Sequence, residues 1–590
     1  MRSETAAPGT SKEWMWLAAL LLVFVLLRGL ALGADPLPDT EGGFITDWGD
    51  WSRNARSHYL WGTWMVDNNN VGLLGAFGFT MAVRSMFALL GVGQAQTNLV
   101  NVLSGIASIL AVYALIRRFS GARVALLGAA LLGLNPMTIA YDRSGYPESF
   151  QLLFMILAVA AIFSSRYWIV VLGGICFAIA IVAKWTALIL GPIVTLIWAS
   201  RWVASRIFRL GPRFSWKPFL LYGTVAAGAL GVYALAWVLP HKTALGQYFD
   251  EMSVGAFAPV GRGARPDRVS LFGFTTLGFR MNGFFSMQWY LLLVATCFAA
   301  SRITRTLRAP VTQLEIACWA WLAIGSLSLA RLFYQPDRRF LFLVPPLVVL
   351  CALFLGREIA LGPSRWSGRS RLLAFVVAGA LLGGVLAFLF ARHYGPYRVI
   401  AIAVRMGHPI SYSAAAGILV TTALIGAAIL AAGISRYPRG ELSIHRPWVL
   451  VPMICLIVAL RWGDQITHRS HSIRRVEAAV ARLTDPWPSN QRVAFGGAAA
   501  TFVVGTHVLG VSDPNTRIAP PLAILLERPN VPFEPVLRQV LTGPSPKVRC
   551  AEFPVWPRRD KTPHYVAHLL VVPERLEQCV RAVAETAPSP

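Results

Sequence analysis

Two aspartates stand three residues apart, Asp47 and Asp50, in the stretch "FITDWGDWSRNARSHYLWGTW" (44–64). On a helix, positions i and i+3 share a face, so both carboxylates can converge on one point. Paired carboxylates at a surface can hold a divalent cation, or one can act as general base while the other tunes it. The plainer use of such residues is to cap a helix N-terminus. Spacing alone does not separate these uses. His58 lies on the same segment and can approach the same point.

The elements that must position these groups are membrane helices. Of the 590 residues, 55% are hydrophobic and 14% are charged, with a mean hydropathy of +0.55. A soluble chain carries roughly a quarter charged residues. The deficit identifies an integral membrane protein. The net charge of +26 comes mostly from arginines in short loops between apolar runs. That pattern fits orientation charges and lipid headgroup contacts, not nucleic-acid binding, and no zinc-finger or phosphate-loop spacing is present.

The run Trp14–Ala34 is long enough to cross about 30 Å of hydrocarbon and is read as an anchor. Later runs fall at 97–116, 122–140, 148–164, 167–182, 185–200, 218–239, 287–301, 314–332, 340–356, 372–391, 412–434 and 447–461. The expected fold class is an all-α polytopic membrane protein of about 13 transmembrane helices. The basic loops 117–123, 201–217, 301–308, 357–371 and 435–441 fall on one side. The positive-inside rule makes that side cytoplasmic, with the N-terminus.

The first loop (35–95), 141–148, 240–286, 334–339 and everything from about 462 onward then face outward. Within the first loop, 71–93 reads as an interfacial helix, with a true span as its rival. Residues 462–590 mix an amphipathic helix (471–483) with short apolar runs, which fits a small α/β extracytoplasmic domain beside a transmembrane domain of 1–461. Of the seven cysteines, Cys550 and Cys579 lie in that polar part and can pair if it faces an oxidising compartment. Outer arginines such as Arg262, Arg265, Arg268, Arg280, Arg338, Arg339, Arg398 and Arg405 have no topological reason to be there and suit an anionic group. "HYVAH" (564–568) lacks a metalloprotease glutamate and reads as surface or strand.

The order of polar residues resembles the C-type superfamily of membrane glycosyltransferases, which includes the protein O-mannosyltransferases and the lipid A aminoarabinose transferases. "DWG" (47–49), Trp51, Ala55 and "GTW" (62–64) follow the pattern of the superfamily's first outer loop, with Trp48 where its glutamate stands. "NPMTIAYDRSGYPESF" (135–150) resembles its second outer loop and maps an arginine and an acid onto Arg143 and Glu148, with Asp142 as an extra acid. "AKWTALILGP" (183–192) is similar to its lysine between two short spans, here Lys184. "DRRFLFLVPPL" (337–347) resembles a late arginine–aromatic–proline pattern at Arg339, beside Arg338. The plainer readings are that Glu148 meets a helix dipole and that Lys184 snorkels.

The resemblance implies an inverting glycosyltransferase of the cytoplasmic (inner) membrane, working on its extracytoplasmic face. The implied donor is a polyprenyl-phosphate sugar and the acceptor a lipid, glycan or protein. It implies Asp47, Asp50 and Glu148 as catalytic residues, and Lys184, Arg143, Arg338 and Arg339 as donor-phosphate ligands. His58 and Asp142 are support, and a divalent metal would sit on Asp47 and Glu148. A transporter or flippase of a lipid-linked saccharide is the alternative. Transporters usually place ionisable groups near the bilayer midplane, whereas these acids gather at one face.

Overall fold

The computed structural model describes residues 11–30, 32, 48–62, 64, 71–206, 214–247, 311–330, 337–361, 474–488, 491–495, 509–511, 521–527, 534–542, 546–557 and 563–586, with scattered positions from 288 to 302. Asp47, most of the 240–286 loop and the expected spans 372–391, 412–434 and 447–461 lie outside the described residues, as do Arg262, Arg265, Arg268, Arg280, Arg398 and Arg405.

The first apolar run forms helix α1 (Ser11–Gly29), which is charged at both ends and buries those charges in pairs. Near its start, Glu13 meets Arg117 Nε at 2.7 Å and accepts from the Tyr113 hydroxyl. At its end, Arg28 is fully buried, with its Nε 2.7 Å from Asp142. The first loop supplies α2 (Trp48–Trp61), α3 (Val71–Gly75) and α4 (Phe77–Leu90). The run 71–93 is therefore two helices broken at Ala76.

Helix α5 (Gln94–Ser120) ends at Gly121, whose φ of +80° lets the chain reverse at once into α6 (Ala122–Gly133). The single span expected at 122–140 is instead α6 followed by α7 (Pro136–Asp142), bent by 60°. Asn135 causes the break. Its side chain accepts from the amides of Met137 and Thr138 at 3.0 and 3.2 Å, and Pro136 fits the first helical position because it has no amide hydrogen to satisfy.

Next come α8 (Glu148–Ile162), α9 (Tyr167–Ala183), a 3-10 turn (Trp185–Ile189), α10 (Leu190–Arg206) and α11 (Trp216–Tyr233). Helix α9 packs on α8 and α11 through small residues: a side chain at Gly173 would strike Ala161, and one at Gly174 would come 2.7 Å from the Tyr222 carbonyl. Further on lie α12 (Gln313–Ala330), a 3-10 turn (Asp337–Leu343) and α13 (Val344–Leu361). Among the described residues four helices are long and apolar enough to cross a membrane, Gln94–Ser120, Trp185–Val203, Trp216–Val238 and Arg338–Gly356, or five if α6 and α7 count as one.

The C-terminal part contains α14 (Arg474–Thr484), α15 (Glu534–Thr542), α16 (Leu576–Ala584) and a five-stranded sheet. The strands are β1 (Val493–Phe495), β2 (Leu509–Val511), β3 (Leu522–Glu527), β4 (Val548–Pro557) and β5 (Pro563–Val571), in the order β2-β1-β3-β5-β4. β1 pairs parallel with β2 and β3, while β5 runs antiparallel to β3 and β4. Val476, Ala479, Val480 and Leu483 are fully buried on one face of α14, at the spacing expected of an amphipathic helix. Cys550 on β4 and Cys579 on α16 form a disulfide. "HYVAH" lies on β5, as its strand reading expects, and His568 is buried between Glu527 and Glu552.

Candidate active site

Glu148 is the first residue of α8. It faces Lys184, whose Nζ donates to its Oε1 at 2.5 Å. Lys184 ends α9 with an extended backbone (φ −165°, ψ 131°), so the chain leaves the helix there before the 3-10 turn begins. Its side chain is buried at 8% exposure. A snorkelling lysine would reach water instead, so the snorkelling reading is not what the fold adopts. Arg338, from the turn before α13, places Nε 3.3 Å from the same Glu148 oxygen, with its guanidinium 4.7 Å from the Tyr146 ring centre. Arg339 adds positive charge close enough to bear on Lys184. Among the described residues one carboxylate thus sits with three cations, and the cluster is drawn from three separate parts of the chain: the start of α8, the end of α9 and the turn before α13.

The first loop reaches this cluster through Trp51 on α2, whose indole ring lies 4.4 Å from Lys184 Nζ, a cation–π contact. Trp51 is buried. Asp50, its neighbour, belongs to α2, but its side chain is outside the described residues. Lys184 falls between two apolar helices and in neither. Burial pushes its ammonium well below the usual lysine value, to about 8, and Arg338 and Arg339 push the same way, against the pull of Glu148.

The framework that aims these groups is made of buried amides. Asn101, inside α5, donates to the carbonyls of Ser144 and Tyr146, each at 2.5 Å, and accepts from the Phe150 amide at 3.2 Å. It therefore clamps the segment between α7 and α8 on both sides of Glu148. Gln151, one turn along α8, donates to the Lys184 carbonyl at 2.6 Å and to the Thr186 hydroxyl at 3.2 Å. It fixes the break that carries Lys184. Gly78 of α4 backs that break: a side chain there would come 3.0–3.1 Å from the backbone of Val182 and Ala183.

The other expected residues lie elsewhere. Arg143 donates through Nη1 to the carbonyls of Leu27, Arg28 and Leu30 at 2.7–3.0 Å, capping the end of α1. Asp142 belongs to the Arg28 pair. Both hold the end of α1 against the segment that joins α7 to α8, and the contacts seen for Arg143 give it a structural use rather than a place beside Lys184. His58 Nδ1 accepts from Arg84 Nε at 2.8 Å, and its ring stacks on Trp64 at 3.9 Å. Burial, and secondarily Arg84, hold its pKa below the usual histidine value, so it is a neutral strut from α2 to α4.

Among the described residues no three of His, Cys, Asp and Glu gather closely enough to hold a metal. Glu148 is the one carboxylate in the cluster among the described residues. Sequence reasoning passed over Trp51 as a site residue, although the resemblance includes it. It also passed over Tyr146, Asn101 and Gln151. The available signal for the amides was a polar side chain within or at the start of an apolar run.

Residues 76–222, which carry Glu148 and Lys184, match the family model described as dolichyl-phosphate-mannose-protein mannosyltransferase. No curated protein sequence matches the chain. Among solved structures, ArnT from Cupriavidus metallidurans bound to undecaprenyl phosphate aligns over 95% of this chain and 98% of its own, at 14% identity and a TM-score of 0.52. The apo form of the same enzyme aligns over 98% of this chain and 100% of its own, again at 14% identity and a TM-score of 0.52. At that identity the likeness is one of fold. The chain is a multi-pass membrane protein with an ArnT-like fold, and the resemblance to the C-type membrane glycosyltransferases read from its sequence holds.

Proposed function

We propose that the chain is an inverting glycosyltransferase that moves a sugar from a polyprenyl-phosphate donor to an acceptor hydroxyl on the extracytoplasmic face of the cytoplasmic membrane. The observation that carries this reading is the convergence of Glu148, Lys184 and Arg338 beneath Trp51 of the first-loop helix. Among the described residues one carboxylate is outnumbered by cations, which favours an anionic ligand, and a phosphate suits the mixture of an ammonium with a forked guanidinium. ArnT binds undecaprenyl phosphate in its crystal structure, and we carry that ligand class over to this site.

The division of labour follows from charge. In the transfer step the acceptor oxygen forms a bond to the anomeric carbon, and the carbon–oxygen bond to phosphate breaks. The bonding pair leaves with the phosphate, whose added charge Lys184, Arg338 and Arg339 offset. Attack opposite the leaving group inverts the anomeric centre. The acceptor proton goes to Asp47, four residues before Trp51 in the sequence, for a gain of about 10²–10⁴-fold. Glu148 holds Lys184 and Arg338 in place. When a divalent cation is bound, Asp47 and Glu148 are the residues that would hold it, and it would add further neutralisation of the phosphate.

Sidedness is supported by two independent features. The arginine-rich loops that follow α5 and α10 belong on the cytoplasmic side. The Cys550–Cys579 disulfide belongs in an oxidising compartment, which suits an extracytoplasmic 462–590 domain beside a transmembrane 1–461 domain. The test is sugar transfer from undecaprenyl-phosphate donors by protein in proteoliposomes. Asp47→Asn is expected to abolish transfer at normal expression, and full transfer by that variant would remove Asp47 from the mechanism.

A further inference from the structure

Two buried polar atoms flank Lys184 without a partner among the described residues: Glu148 Oε2 and Trp51 Nε1. Glu148 spends Oε1 on Lys184 and Arg338, and Trp51 spends its ring face on the ammonium. Both side chains are more than nine-tenths buried. Leaving such groups unsatisfied is costly, so their persistence at a cluster of charged groups calls for a ligand.

The pair is chemically asymmetric. A carboxylate oxygen only accepts and an indole N–H only donates. A phosphate oxygen at this point would satisfy the indole but meet the carboxylate with like charge. The hydroxyls of a sugar satisfy both, because an O–H donates to Glu148 and a hydroxyl oxygen accepts from Trp51. We infer that Glu148 Oε2 and Trp51 Nε1 form a hydroxyl-reading subsite for the sugar carried by the donor, separate from the cations that take its phosphate. This rests on the glycosyltransferase reading and deepens it: Trp51 becomes a specificity-determining residue. A site built to bond a hydroxyl rejects an analogue that lacks it, since the buried groups are then left unpaired.

The experiment compares binding of undecaprenyl phosphate with that of undecaprenyl phosphate carrying mannose, glucose or aminoarabinose, using the full-length protein in detergent. Wild type is expected to bind at least one glycosylated lipid more tightly than the bare one. Trp51→Phe keeps a six-membered ring under Lys184 and removes the N–H together with the fused five-membered ring. It is expected to lower the preference for that glycosylated lipid over the bare one by about 3–10-fold, the worth of one neutral hydrogen bond. Trp51→Leu, which also removes the ring, is expected to weaken both ligands. Equal weakening of both ligands by Trp51→Phe would overturn the subsite, as would no effect on either or a wild type that ignores the sugar. If wild type binds none of these lipids, the glycosyltransferase reading itself falls, and the subsite with it.

Discussion

Removing either partner of the Glu148–Lys184 pair should destabilise the protein, but by unequal amounts. In Glu148→Gln, Lys184 loses a carboxylate at 2.5 Å and keeps the Trp51 ring at 4.4 Å. In Lys184→Met, Glu148 keeps Arg338 at 3.3 Å. Coulomb attraction falls as 1/r, so at one effective dielectric that remaining contact holds about three quarters of the attraction available at 2.5 Å. Stranding one member of a buried pair costs about 3–5 kcal/mol. We expect about 3 kcal/mol for Glu148→Gln, whose amide oxygen still accepts from the lysine, and about 1–2 kcal/mol for Lys184→Met. The double variant removes both charges but also takes Glu148 from the buried Arg338, so it should cost more than Lys184→Met alone yet less than the sum of the two single changes, a non-additivity that marks direct coupling. The assay is the half-life of the monodisperse species in detergent at a fixed elevated temperature, which reports kinetic stability. The reasoning is refuted if Lys184→Met proves the worse single change, or if the double variant loses the sum of the two.

Other expectations follow from the same contacts. Gly78→Ala forces the end of α9, and Lys184 with it, away from its place, so lipid-phosphate affinity should fall although Gly78 touches no ligand; unchanged affinity would mean that α4 does not brace the break. With the Lys184 ammonium titrating near 8, phosphate binding should decline as pH rises through that value and the site loses positive charge, while Lys184→Arg should flatten the profile between pH 7 and 9. Asp142→Asn strands the buried Arg28 and is expected to cost about 3–5 kcal/mol, read as lost expression or a lower melting temperature. Cys550→Ser should cost the C-terminal unit about 2–4 kcal/mol, and in the wild-type protein Cys550 and Cys579 should resist maleimide until reduced.

Much of the fold was legible because the bilayer imposes a simple pattern: 97–116, 148–164 and 167–182 each became a helix at nearly the expected place. The break at Asn135–Pro136 was visible in the residue types, but hydropathy averages across it and joins α6 to α7. For the site, the order of polar residues led to Glu148, Lys184 and Arg338, which the fold brings together. It also led to Arg143, Asp142 and His58, which the fold spends on a helix cap, a buried pair and a strut. A lone charged residue in an outer loop carries no sign of which partner it will find. Nor does the sequence show that Asn101 and Gln151 hold the loops that aim the charges, since an amide in an apolar run announces a need for partners without naming them.

The most direct test of the account is the structure of the protein in a lipid nanodisc with saturating undecaprenyl phosphate. The account places the phosphorus beside Lys184, with phosphate oxygens within about 4 Å of its Nζ, in ion-pair range, and the polyprenyl chain leaving between helices into the bilayer. A phosphate bound at the opposite leaflet, or a Glu148–Lys184–Arg338 cluster left empty while the lipid sits elsewhere, would contradict it.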